Sequence, residues 1–230
     1  IENSDIVIQM SLLSEDKFSV NVLDGVTGSG KTEVYFEFIS KIIELKKQCL
    51  VMLPEIVLTS QWLDRFYKRF GSMPIVWHSN ISKTEKRDAW HAISEGAASV
   101  VVGARSSLFL PFTNLAAIIV DEEHDVSYKQ QSGVFYNARD MAIVRSKFHN
   151  IPILLISATP SLETTMNIKT NRYKKFTLSK RFGGAVLPET QLIDLRSNKP
   201  YKDKWISKLL YEEMKYNLSQ GGQVLLFLNR

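Results

Sequence analysis

The stretch Gly25-Val26-Thr27-Gly28-Ser29-Gly30-Lys31-Thr32 follows an apolar run at residues 18–23 and leads into a segment where Val34, Phe38 and Ile42 recur beside Tyr35, Ile39 and Ile43. The first pattern is that of a buried strand and the last that of one helix face. The eight residues between them are therefore a strand-to-helix turn of the form G-x-x-x-x-G-K-[ST]. Glycines let consecutive backbone amides curl around dense negative charge, because no Cβ obstructs the approach or the positive φ angles. The helix that follows adds the positive end of its dipole. Gly25, Val26, Thr27, Gly28, Ser29 and Gly30 are thus read as a cradle for a polyphosphate. Lys31 can reach the β and γ phosphates, and the Thr32 hydroxyl is placed to ligate Mg²⁺.

Outward from this loop, short apolar runs of strand length alternate with longer segments of helical spacing, which argues for an α/β fold with a mostly parallel sheet and helices on both faces. Strands are expected at 18–23, 49–53, 74–77, 99–102, 116–120, 153–156 and 223–228. Ser82 with Glu85 three residues on forms a capping box that opens a helix running to about Glu95. Asn137 can cap a second helix, Pro160 suits the first position of a third, and a fourth is expected at 205–219. Among the helical aromatics, Trp62, Phe66 and Trp90 are read as core.

The strand at 116–120 ends in Asp121-Glu122-Glu123-His124, so these side chains emerge at the carboxyl edge of a parallel sheet, where such folds bind ligands and where the glycine loop also opens. Nucleotide hydrolysis needs a carboxylate to hold Mg²⁺ and a second acceptor to orient the attacking water. Asp121 suits the metal and Glu122 the water, which makes Lys31, Asp121 and Glu122 the candidate catalytic residues. His124 is a candidate relay between nucleotide and polymer.

Composition limits the alternatives. Of the 230 residues, 44% are hydrophobic and 23% charged, which excludes wholesale disorder. No run approaches the roughly 18 apolar residues that span a bilayer, and nothing at the N-terminus reads as a secretion signal. A cytoplasmic protein with no membrane partner is expected. The single cysteine, Cys49, rules out an internal disulfide and a Cys-based zinc site, and is read as a core thiol. The net charge of +5 is unevenly spread: residues 169–208 hold eleven basic and three acidic side chains, either as a solvated linker or as a surface along a nucleic-acid backbone. A boundary is expected near residue 180, where Gly, Pro and basic residues accumulate. Residues 205–230 cannot enclose a core of their own. With Ile1 in first position, this suggests a piece of a longer chain.

The acidic cluster after one strand and Ser157-Ala158-Thr159 after the next resemble the helicases of superfamily 2. Within them, the glycine loop, Leu53-Pro54-Glu55-Ile56, Gly103-Ala104-Arg105-Ser106-Ser107-Leu108-Phe109, Asp121-Glu122-Glu123-His124-Asp125, Tyr128-Lys129-Gln130-Gln131, Tyr136-Asn137-Ala138-Arg139-Asp140, Ser157-Ala158-Thr159-Pro160-Ser161-Leu162-Glu163 and Leu226-Phe227-Leu228-Asn229-Arg230 resemble, in order, the motifs of the PriA family of bacterial replication-restart helicases. The resemblance covers nearly the whole chain. It implies a RecA-like P-loop lobe over residues 1–180, a basic linker at 181–204 and the start of a second motor lobe at 205–230. It also implies an ATP-driven motor moving 3′ to 5′ on forked or single-stranded DNA, with primosome and replication-restart proteins as partners. Ser157 and Thr159 would couple hydrolysis to movement, and Glu55, Thr59, Gln61, Arg105 and Ser106 fall in segments that would touch DNA. Zinc belongs to the intact family, although this chain supplies no ligands for it.

The residues support the DNA side independently. The turn at 103–107 can offer amides, hydroxyls and a guanidinium to phosphates. Tyr128, Lys129, Gln130, Gln131, Phe135 and Tyr136 read as an aromatic and polar loop, with Lys129 as a phosphate contact and Tyr136 either stacking on bases or packing against the sheet. As given, the 230 residues are expected to bind Mg-ATP weakly and not to unwind DNA alone. The alternatives are a non-catalytic nucleotide- or DNA-binding module and another superfamily 2 translocase.

Overall fold

The computed structural model describes residues 17–54, 60–181, 189–200, 202 and 205–227. The chain divides into two compact units, Ile1–Ala185 and Val186–Arg230.

In the first unit, strands β1 (Ser19–Gly25), β2 (Gln48–Met52), β3 (Ile75–Trp77), β4 (Val100–Gly103), β5 (Leu115–Val120), β8 (Pro152–Ser157) and β9 (Lys174–Leu178) form one sheet in the order β3-β4-β2-β5-β8-β1-β9. Every pairing in it is parallel. A separate antiparallel ribbon joins β6 (Lys129–Gln130) to β7 (Tyr136–Asn137). Helices α1 (Lys31–Glu44), α2 (Ser60–Phe70), α3 (Lys83–Ser94), α4 (Ala138–His149) and α5 (Leu162–Lys169), with a short 3-10 helix at Arg105–Phe109, complete the unit.

Alternation along each strand divides the core in two. Leu23, Cys49, Val51, Ala117, Ile119, Leu154 and Ile156 face α1 and α2. Val20, Val22, Leu50, Met52, Ile118, Val120, Ile153 and Leu155 pack with residues of α3, the 3-10 helix and α4. Both faces are covered, which explains why these strands are apolar throughout. Against the first face, Phe36 meets Trp62, Phe66 and Phe70 edge-on at centroid separations of 5.6, 5.7 and 5.5 Å. Cys49 is buried, and burial pushes its thiol pKa up, away from thiolate chemistry.

The Ser82–Glu85 capping box forms in both directions, and Asn137 caps α4 by accepting from the Arg139 amide. Three expectations are corrected. Pro160 is not the first residue of α5: Ser161 is its cap, because the Ser161 hydroxyl accepts from the Thr164 amide. Trp90 is 46% exposed, not core, on an α3 whose buried residues are Ala89 and Ile93. No strand forms at residues 223–227, which have no backbone partner to make a ladder, and residue 228 lies outside the described residues. In the opposite sense, β9 was hidden by its composition. Lys174 and Lys175 sit on an edge strand of which only Phe176 and Leu178 are buried, and such charge keeps a sheet edge from pairing further.

The second unit contains α6 (Lys208–Ser219), which begins three residues later than residue 205 because Ser207 caps it, its side chain accepting from the Leu210 amide. No residue of α6 is buried.

Removing the ring at the centre of the aromatic cluster should be expensive. Phe36→Ala is expected to lower unfolding free energy by about 3–5 kcal/mol, measured by chemical denaturation; a loss near zero would show that the cluster adds nothing beyond the rest of the core.

Candidate functional site

The carboxyl ends of β1, β5 and β8 bring the chemistry together. After β1 the chain turns through Gly28 and Gly30, whose φ angles of 77° and 85° favour glycine. A Cβ on Gly25 would fall 2.6 Å from the Ser29 Oγ. Gly30 caps α1 with no side-chain hydrogen bond, so the first amides of the helix are left for another acceptor. The Ser29 hydroxyl is 1% exposed and has no hydrogen-bond partner among the described residues. Lys31 arches over the loop, its Nζ donating to the Gly25 carbonyl at 2.8 Å. A tight turn, an uncapped helix start, an orphaned hydroxyl and an ammonium in one place fit a polyphosphate.

Two strands away, Asp121 is 7% exposed. Its Oδ1 accepts from the Glu122 amide at 2.9 Å, and its Oδ2 from the Tyr35 hydroxyl at 3.2 Å. Burial first, and then the neighbouring Glu122, raise its pKa to about 6, while the Lys31 ammonium acts to lower it. Lys31 and Asp121 thus lie at the same edge of the sheet, after β1 and β5. Glu122 adopts a left-handed backbone with φ 47°, uncommon for a non-glycine residue. Thr32 and Asp121 could offer one hydroxyl and one carboxylate to Mg²⁺, and among the described residues no three His, Cys, Asp or Glu side chains form a metal cluster. That donor set suits an ion that keeps several waters and takes other ligands from phosphates.

His124, Ser157 and Thr159 are assembled. The Ser157 Oγ lies 2.8 Å from His124 Nδ1 and the Thr159 Oγ1 3.4 Å from His124 Nε2, while Glu122 Oε2 is 3.6 Å from His124 Nδ1. Ser157 also accepts from the Thr159 amide at 2.9 Å.

Glu123 has a different role that its sequence position did not reveal. It is 2% exposed and accepts from Arg139 Nη1 at 3.0 Å, from the Ser161 amide at 2.7 Å and from Thr164 Oγ1 at 3.1 Å. These bonds pin α4 and α5 to the acidic segment. The pairing of an acid with an arginine sixteen residues on leaves no periodic signal in the chain.

Among the residues expected to touch DNA, Arg105 donates from Nη1 to the carbonyls of Ser127 and Lys129 at 3.2 and 3.3 Å, tying the turn after β4 to the ribbon. Ser106 and Lys129 are exposed. Tyr136 packs edge-on against Phe109 at 5.4 Å. A cavity of about 190 Å³ opens between Leu53, Pro54, Ala104, Arg105, Ser127 and Tyr128. Gln61 is exposed in the first turn of α2, whereas Glu55 and Thr59 lie outside the described residues. Tyr128 does not belong to an exposed loop. It is buried, and its hydroxyl donates toward the carbonyls of Asp121 and Met52 at 2.7 and 3.0 Å, so it braces the acidic strand end. Phe135 is 75% exposed.

The DEAD/DEAH box helicase family profile matches residues 6–168. The chain belongs to this family. Among DEAD/DEAH box helicase relatives, it is 46% identical over 239 residues to the replication restart protein PriA of Rickettsia felis, covering 100% of this chain and 37% of the relative. It is 48% identical over 219 residues to that of Haemophilus influenzae, covering 95% and 30%. The chain thus spans about a third of the length of these relatives, and the resemblance read from its motifs holds. RecG bound to a three-way DNA junction shares the fold, with TM-score 0.60 and 23% identity over 88% of this chain and 25% of that one.

The raised Asp121 pKa has a consequence for stability. The folded chain holds that proton up to about pH 6 and the unfolded chain only to 3.8, so the associated stabilisation is full below about pH 4 and lost as pH rises through 6. Asp121→Asn, with no charge to bury, is expected to be more stable than the parent at pH 8 without Mg²⁺, by on the order of 3 kcal/mol, and equal to it near pH 4. Denaturation at the two pH values measures this; a difference independent of pH counts against it.

Proposed function

We propose that the chain is the ATP-binding lobe of a 3′-to-5′ DNA helicase of replication restart, coupling Mg-ATP hydrolysis to movement on DNA. The observation that carries this is that the glycine loop with Lys31 and the Asp121–Glu122 pair both follow parallel strands at the carboxyl edge of one sheet, with His124, Ser157 and Thr159 in contact beside the acids. The similarity to the PriA relatives supports the choice of polymer and of process.

In this reading Gly25 to Gly30 wrap the phosphates with main-chain amides, Lys31 pairs with their terminal charge, and Thr32 and Asp121 hold Mg²⁺. Bound Mg-ATP supplies a transferable γ-phosphoryl group whose charge the cation spreads. Glu122 orients the attacking water and takes its proton. His124 Nδ1 meets both Glu122 Oε2 and the Ser157 Oγ, and its Nε2 faces the Thr159 Oγ1, so a change at the acid reaches the segment after β8. Arg105, Ser106, Lys129 and Tyr136, with Gln61, Glu55 and Thr59, are assigned to the DNA strand, forked or single. Residues 1–180 are assigned to the first motor lobe, 181–204 to a basic linker and 205–230 to the opening of a second lobe. The partners follow as primosome and replication-restart proteins, and the compartment as the cytoplasm. In the intact protein zinc is expected on ligands other than these residues, whose one cysteine is buried. The 230 residues alone are expected not to unwind DNA.

In the full-length protein, Lys31→Ala is expected to abolish DNA-stimulated ATP turnover, and Glu122→Gln to keep nucleotide binding while reducing turnover by about 10²–10⁴-fold. Full turnover in Lys31→Ala would remove the motor assignment. Lys129→Ala is expected to weaken single-stranded DNA binding at low salt and to reduce the slope of log affinity against log salt by about 1; an unchanged slope, measured by fluorescence anisotropy, removes Lys129 from the phosphate contacts.

A further inference from the structure

The assignment of Thr32 and Asp121 to Mg²⁺ leaves Tyr35 without a role, although its side chain is fully buried at the site. Its hydroxyl lies where two polar groups converge. It donates to Asp121 Oδ2 at 3.2 Å and receives the Trp62 indole N–H at 2.6 Å.

The directions of these bonds follow from proton counting. A phenol carries one proton, an indole N–H can only donate, and an ionised carboxylate can only accept. The phenol proton therefore goes to Asp121, and the phenol oxygen accepts the Trp62 N–H. Asp121 is fixed at both oxygens, by Tyr35 at Oδ2 and by the Glu122 amide at Oδ1. The phenol is itself held in place, because the Trp62 ring stacks on Phe66 with a centroid separation of 5.4 Å and meets Phe36 edge-on.

We propose that Tyr35 is a positioning residue for the divalent cation, its hydroxyl fixing the Asp121 carboxylate in the orientation that presents lone pairs to the ion, with Trp62 locking the phenol. This rests on the nucleotide-site reading above. A tyrosine kept for packing alone would tolerate loss of its hydroxyl with no effect on metal, whereas removing the outer partners of metal ligands lowers metal affinity by about 10–100-fold. Trp62 follows Gln61 directly, so the same bonds tie Asp121 to the helix that carries a candidate strand contact.

The test uses full-length protein and a fluorescent ADP analogue, titrated with Mg²⁺ from an EDTA-treated start, with a thermal melt as the folding control. Tyr35→Phe is expected to bind the analogue in EDTA within about twofold of the parent. Its half-saturating Mg²⁺ is expected to rise about 10–100-fold. Trp62→Phe, which keeps a ring in the stack and withdraws only the N–H, is expected to shift the same midpoint in the same direction by a smaller factor. An unmoved midpoint in folded Tyr35→Phe overturns the inference; should that variant not fold, an unmoved midpoint in Trp62→Phe overturns it. Parent protein that binds no analogue overturns the nucleotide reading and this inference together, whereas Mg²⁺-dependent binding by the parent with unmoved variants overturns this inference alone.

Discussion

A carboxylate held almost dry at the mouth of a parallel sheet governs the arrangement around it. An ionised acid removed from water is penalised by several kcal/mol unless its lone pairs are met, and Asp121 is met by an amide, a phenol and, at longer range, an ammonium. Each of these donors is itself held. The amide belongs to Glu122, whose own backbone is left-handed. The phenol is bonded to Trp62 on α2. The main-chain carbonyl of the same aspartate accepts from Tyr128, so the residue is fixed by its backbone as well as by its side chain.

The four residues that close β5 divide their tasks by exposure. Glu123 lies wholly inside, and its charge is matched by Arg139 with further donors from Ser161 and Thr164. Breaking such a pair from one side leaves a buried charge with no counterpart, which is why pairs of this kind are structural even where their net contribution is small. Glu122 and His124 keep about a third of their side-chain surface in solvent, 34% and 37%, and so are free to meet a ligand. Consecutive residues thus point by turns into the solvent-facing site and into the interior.

The sequence displayed the fold where one physical cause acted alone. The strands of the central sheet are apolar on both faces because helices cover both, and the glycine loop is dictated by backbone geometry that few other residues permit. What escaped reading depended on partners far along the chain. Strand β9 reads as a basic segment until β1 is seen beside it, with Lys175 paired to Asp24. Tyr128 looked like a surface aromatic because nothing local says that the carbonyls of Met52 and Asp121 lie above it. Trp90 has the spacing of a core residue, but its helix buries only a narrow stripe. Asp121 and Glu122 were legible from their place at a strand end and Lys31 from the glycine loop before α1, whereas the tyrosine that donates to Asp121 was visible only as one more apolar position on α1.

Asn137 ends the two-stranded ribbon and also caps α4, and Arg139, two residues later, grips Glu123. Ribbon and helix therefore share a residue, with no hinge between them. The exposed ribbon and the acidic segment are thus joined through Asn137 and Arg139, two residues apart at the very start of α4, with no slack chain between them.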